Sequence, residues 1–194
     1  MRIVSGDFRG KALIAPPGDA TRPTSDRARQ AIFNILEHAP WSAGLRDQRV
    51  IDLFAGSGAL GFEALSRGAS FCLFVETDEA ARGAIRDNVD NLGGLFGKTR
   101  VHRRSATDLG ERPGADGPAF DLAFLDPPYA RGLGEQALER LAAGSWLAEG
   151  ATVVFERGSA EPPFMVDGFE ALDVRDYGAA RVHFLRFTGG SPAR

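Results

Sequence analysis

Residues 50–61, VIDLFAGSGALG, constrain the fold of this chain more than any other stretch. Val50, Ile51, Leu53 and Phe54 form a short apolar run, the pattern of a strand buried on both faces. Gly56, Gly58 and Gly61 follow in G-x-G-x-x-G spacing, and Ala59, Leu60, Phe62, Ala64 and Leu65 begin a helix. Glycine accepts positive φ and lets a ligand approach bare backbone. The amides left free where a helix starts point at whatever sits above the strand end. Strand, glycine turn and helix in this order predict the nucleotide-type loop of a doubly wound α/β fold.

The rest of the chain continues the alternation. Apolar runs predict strands at 71–75 (FCLFV), 99–103, 121–125 (DLAFL) and 151–155, and helices at 59–67, 79–92 and 134–143. Residues 172–177 and 182–187, around Gly178, read as a closing antiparallel hairpin. At the other end, residues 2–14 hold two β-like runs around Gly6 and Gly10, a small hairpin broken by Pro16, Pro17 and Gly18. A helix follows, capped by Thr24 or Ser25 and stopped by Pro40, with Ala28, Ile32, Ile35, Leu36 and Ala39 on one face. The organisation expected is an N-terminal hairpin-and-helix arm over 1–40 and a nucleotide-fold domain over 41–194.

Composition excludes several classes. No apolar run approaches the roughly 20 residues of a membrane span, and MRIVSGDFRG lacks the apolar core of a signal peptide, so a cytoplasmic protein is expected. The single cysteine, Cys72, excludes an internal disulfide, and with three scattered histidines no metal site is expected. Net charge is −3, yet residues 1–30 carry six cations against three carboxylates. A basic arm on an acidic body points to a localised anionic partner. Arg22, Thr24 and Arg27 gather near the start of the helix, where they could grip phosphate or cover a cofactor, or simply form its solvated side.

Three acids stand where strands end. Asp52 lies within the first strand, beside the glycine loop. A carboxylate there suits the cationic amino and sulfonium end of S-adenosylmethionine better than a pyrophosphate. Glu76 follows the second strand twenty residues after Gly56, where such folds place the acid that accepts ribose hydroxyls. Phe54, Gly56, Gly58 and Thr77 complete the candidate cofactor contacts, with Ala106, after the third strand, as an adenine neighbour. Asp126-Pro127-Pro128-Tyr129 follows the fourth strand. The two prolines remove two amide donors and hold the backbone extended, leaving carbonyls to accept. Asp126 adds an acceptor and Tyr129 a ring. Together these groups fit a planar amine or amide nitrogen, with Asp126 and Pro127 taking its hydrogens while Tyr129, beside Pro128, holds its plane.

The glycine loop, the acid after the second strand, DPPY after the fourth and a closing hairpin together resemble class I methyltransferases that use S-adenosylmethionine. DPPY narrows the resemblance to amino methyltransferases. RIVSGDFRGKAL, RPTSDRARQAIFNIL, DLFAGSGALGFEALSRGA and FVETD are similar to the RsmD family over nearly the whole chain, thinning at 93–99 and 105–118. The resemblance implies a Rossmann-like, seven-stranded, mostly parallel sheet with the last strand antiparallel. It also implies methylation of N2 of one guanine, guanine 966, of bacterial 16S rRNA, within the 30S subunit or its assembly intermediate. A monomer is the default. Residues alone leave open a DNA adenine or protein glutamine methyltransferase, a dinucleotide oxidoreductase, and a non-catalytic RNA-binding module that uses only the arm.

Overall fold

Central parallel strands lose water on both faces, and the short apolar runs do so here. Val50, Ile51, Leu53, Cys72, Leu73, Phe74, Leu122, Ala123, Phe124 and Val153 are all buried. Each large side chain contributes roughly 1.5–3 kcal/mol by leaving water. The computed structural model describes residues 1–17 and 25–189. Its elements are α1 (Asp26–His38), β1 (Arg49–Leu53), α2 (Ala59–Ser66), β2 (Phe71–Val75), α3 (Glu79–Leu92), β3 (Thr99–His102), β4 (Phe120–Leu125), α4 (Leu133–Ala143), β5 (Leu147–Gly158), β6 (Phe169–Tyr177) and β7 (Ala180–Phe187). The seven strands form a mostly parallel sheet in the order β3-β2-β1-β4-β5-β7-β6, with β7 antiparallel to its neighbours. The Rossmann-like class is the one expected.

The described residues divide into two units, Met1–Arg103 and Arg104–Arg194. In the first, β1 pairs with β2 and β2 with β3, all parallel. Gly61 lets α2 lie tight against β2, because a Cβ there would collide with the Phe74 ring and sit 2.6 Å from the Cys72 sulfur. Its neighbour Phe62 packs on Phe74 with ring centroids 4.8 Å apart.

Residues 1–14 form the expected small hairpin: Arg2 and Ala12 make an antiparallel bridge, with Ile3 donating to the Lys11 carbonyl at 3.0 Å and Leu13 to the Met1 carbonyl at 3.0 Å. Side chains of α2 and α3 then hold it in place. Glu63, fully buried, accepts the amides of Val4 at 2.8 Å and Ser5 at 3.0 Å. It also pairs with Arg67 at 2.8 Å and Arg29 at 3.7 Å. Asn88 clasps Ile14 from both sides, accepting its amide at 2.7 Å and donating to its carbonyl at 2.9 Å. Gly6 (φ +81°) admits the close approach, since a Cβ would overlap the Ser66 carbonyl.

Ser25 caps α1 by accepting from the Ala28 amide. The buried face is Arg29, Ile32, Phe33 and Leu36, with Ala28, Ile35 and Ala39 only half-covered. Arg29 is inward because Glu63 draws it there.

In the second unit, β4 pairs parallel with β5, then β5 with β7 and β7 with β6, antiparallel. Strand β5 begins earlier than the apolar run at 151–155 because Leu147 already pairs with Phe120, ahead of a register shift. Trp146 is fully buried, its indole N–H donating to the Gly110 carbonyl at 2.9 Å.

Glu63→Ala removes the buried carboxylate shared by Arg29 and Arg67, leaving them only the more exposed carboxylates of Asp26 and Glu37, and frees two amides. Urea unfolding at neutral pH is expected to show a loss of about 3–5 kcal/mol, with faster proteolysis of residues 1–14.

Candidate active site

In the first unit the site is built on the ends of β1 and β2. Gly58, in the left-handed region at φ +79°, is the N-cap residue of α2 and supplies no capping side chain. A Cβ there would stand 2.7 Å from the Phe62 ring. Phe54 also has positive φ, 59°, an unusual setting for a bulky residue and one that marks a constrained turn.

Two carboxylates hold this turn. Asp52, 2% exposed, accepts the Gly61 amide at 3.0 Å, tying the first turn of α2 back to β1 with negative charge at a helix N-terminus. Burial, and then the Asp52 carboxylate, push the Cys72 thiol well above its usual range, so this cysteine stays protonated and inert. Glu76, half-buried, accepts the Gly56 amide through Oε2 and the Asp78 amide through Oε1, both at 2.8 Å. A carboxylate oxygen has two acceptor sites, so both oxygens keep capacity for a ribose diol. Thr77 is exposed beside it. Arg27 is exposed in the first turn of α1; Arg22 and Thr24 lie outside the described residues.

In the second unit Asp126-Pro127-Pro128-Tyr129 directly follows β4. Pro127 is buried, Pro128 exposed, and Asp126 and Tyr129 half-buried. Gly134 of α4 lies close to this turn, since a Cβ on it would be 3.1 Å from the Pro127 ring. Ala130, next after Tyr129, also has positive φ, 59°. The Tyr129 hydroxyl donates to Glu156 Oε1 at 2.5 Å, which fixes the ring at its far end.

Burial, and then the negative charge of Glu156, push the Asp126 carboxyl up to about 8. Ala106, also in this unit, is buried in a turn where the Ser105 and Thr107 hydroxyls lie 2.8 Å apart.

The structure thus joins Gly56 to Glu76 and Tyr129 to Glu156. Glu156 escaped the sequence reading. Its signal is an acid directly after the apolar run Val153-Val154-Phe155, the same placement that singled out Glu76 and Asp126.

The family model described as Conserved hypothetical protein 95 matches residues 1–186. The chain belongs to this family, the RsmD family. "Ribosomal RNA small subunit methyltransferase D" of Haemophilus influenzae is 33% identical over 178 residues, covering 92% of this chain and 89% of the relative. The protein of that name from Escherichia coli K12 is 37% identical over 156 residues, covering 80% and 74%. Among solved structures, "Putative methyltransferase yhhF" from Escherichia coli superposes with a TM-score of 0.81 at 31% identity, covering 97% of this chain and 98% of that one. RsmD-family membership and the methyltransferase-like fold agree with the reading of the motifs.

A carboxyl whose folded pKa is raised stabilises the fold below its unfolded pKa and loses that contribution as pH climbs through the folded value. Wild type is therefore expected to lose stability relative to Asp126→Asn between pH 4 and about 8, and the difference to level off above. Urea melts of both proteins at pH 5 and pH 9 check this.

Proposed function

We propose that this chain transfers the methyl group of S-adenosylmethionine to the exocyclic N2 of one guanine, guanine 966, in 16S rRNA of the small ribosomal subunit or its assembly intermediate. The observation that carries the reading is the DPPY turn after β4, where a half-buried carboxyl is followed three residues on by a tyrosine ring tethered at its hydroxyl. The relatives named as rRNA methyltransferases support the substrate class.

S-Adenosylmethionine supplies an electrophilic methyl on sulfur. Its binding is assigned chiefly to the first unit: Glu76 accepts the ribose hydroxyls, the turn at Phe54, Gly56 and Gly58 receives the methionine moiety, and Thr77 serves the nucleoside; Ala106, of the second unit, is assigned to the adenine. Asp52 acts at the methionine end, through its charge and through the loop it ties down. These residues fit the group, because Glu76 retains acceptor sites and the turn presents bare glycine backbone.

The base is received by the DPPY turn. A guanine in a helix hides its N2 edge, so the nucleotide is unstacked or flipped. Tyr129, with Pro128, packs against its plane while Asp126 and the Pro127 carbonyl accept the N2 hydrogens. The N2 lone pair is conjugated with the ring and weakly nucleophilic. Orientation and local charge therefore supply most of the rate. As the new nitrogen–carbon bond forms, the carbon–sulfur bond breaks with its electron pair left on sulfur. The N2 proton passes to the Asp126 carboxylate or to water.

Residues 1–40 serve as the RNA-holding arm, with Arg22, Thr24 and Arg27 towards phosphate. The clasp by Glu63 and Asn88 supports this role by holding the start of the arm in place. The protein acts as a monomer in the cytoplasm and uses no metal.

Two substitutions separate the assigned roles. Asp126→Ala is expected to lower turnover at least about 100-fold while calorimetry shows S-adenosylmethionine affinity unchanged. Glu76→Ala is expected to weaken that affinity about tenfold or more with far less effect on turnover at saturation. A reversed pattern would overturn the assignment.

A further inference from the structure

Glu156 is buried, lies outside every motif that points to this chemistry, and touches the one ring the reaction uses. The pairing of β4 with β5 explains why it is there. Leu125 is in register with Phe155, so one residue further along these parallel strands Asp126 stands beside Glu156, on the same face of the sheet. Two carboxyl groups at adjacent strand ends resist carrying charge together. The hydroxyl of Tyr129 reaches Glu156 at 2.5 Å, so one carboxylate contacts the ring by a hydrogen bond and the acceptor by its charge.

We propose that Glu156 is a positioning residue of the methyl-transfer site: it fixes the Tyr129 ring through its hydroxyl and governs when Asp126 can accept hydrogen from the base. The inference rests on the reading of the DPPY turn given above.

The surroundings leave Glu156 as the group acting on Asp126 within this unit. Along β5 the residues on the same face as Glu156 are Val154 and Gly158, and the cross-strand partner on β7 is Val182, none of them titratable. Arg157 points to the other face. It pairs with Glu135 of α4 at 2.6 Å and with Glu161 of the following loop at 3.5 Å. Glu161 is another carboxylate near the ring, since a Cβ on Gly158 would stand 3.1 Å from its Oε1 and 3.4 Å from Tyr129 Cδ2; it is held by Arg157 and by the Gly158 amide at 2.7 Å. His183, also on β7, is opposite Phe155 and packs edge-on against Phe164. In the free protein Asp126 holds its proton towards mildly alkaline pH. A protonated carboxyl offers a donor where the N2 hydrogens need an acceptor, so turnover rises as this proton leaves.

Two substitutions split the two duties. Gln at 156 still accepts from Tyr129 but removes the charge; Ala removes both. Methyl transfer to small subunits is measured from pH 6 to pH 9.5 for wild type, Glu156→Gln and Glu156→Ala, with S-adenosylmethionine affinity measured for each. The acid limb of kcat is expected to move down by about one pH unit or more in Glu156→Gln. In Glu156→Ala, kcat is expected to fall about tenfold or more with cofactor affinity unchanged, and Gln to restore most of that loss.

Carbon-13 NMR of the Asp126 carboxyl in the free protein reads the charge effect without turnover, and should show the same downward shift in Glu156→Gln. An acid limb and an NMR titration that both stay put, with kcat unaffected by Ala, would overturn the role of Glu156 while leaving the methyltransferase reading intact. Absence of methyl transfer by wild type would overturn that reading; the charge effect on Asp126 would then stand or fall on the NMR titration.

Discussion

A carboxylate can stand at the end of a buried strand only where something donates to it or where it keeps its proton. Both solutions occur here. Asp52 and Glu76 are answered by backbone amides of the turns they flank, Gly61 for one and Gly56 with Asp78 for the other. Glu156 is answered by a phenol, and Asp126, beside it, holds its proton into the alkaline range. The contrast has a physical origin. The turns after β1 and β2 lead into helices and present free amides, whereas two prolines after Asp126 take amides away. A turn short of donors is what an amine substrate requires, because donors there would compete with its hydrogens.

The same rule explains the clasp on the N-terminal arm. Glu63 is buried in α2 and needs donors on every side; it finds them in the Val4 and Ser5 amides and in two arginines. The arm therefore acts as the other half of a buried polar network rather than as a tail laid on the surface. Breaking one member of such a network is costly because the remaining charges stay in a low-dielectric interior.

Much of this architecture is legible in the sequence because it is encoded locally. The run FCLFV, the cap at Asp78 and the glycine spacing each describe neighbours along the chain, and β2, α3 and the loop after β1 have the expected bounds. What escaped is encoded between distant residues. Arg29 looks like a solvated helix residue until Glu63, thirty-four positions on, is known to be buried beneath it. Residues 2–14 alternate like a hairpin and pair as one, but nothing local announces that the amides of Val4, Ser5 and Ile14 find side chains of α2 and α3. Glu156 reads as an ordinary strand-end acid until the β4–β5 register places it beside Asp126. Local pattern recovered the DPPY turn and the glycine loop; the partner that tethers the tyrosine needed the fold.

The central claim is methyl transfer to a guanine amine in ribosomal RNA. The most direct measurement incubates the protein with methyl-labelled S-adenosylmethionine and small subunits from cells lacking this activity, beside naked 16S rRNA, DNA and total protein. The RNA is then digested to nucleosides and resolved by mass. The account predicts label in N2-methylguanosine from a single site in 16S rRNA and none in DNA or protein. Label in N6-methyladenine or methylglutamine, or bound S-adenosylmethionine with no transfer to any acceptor, would contradict it.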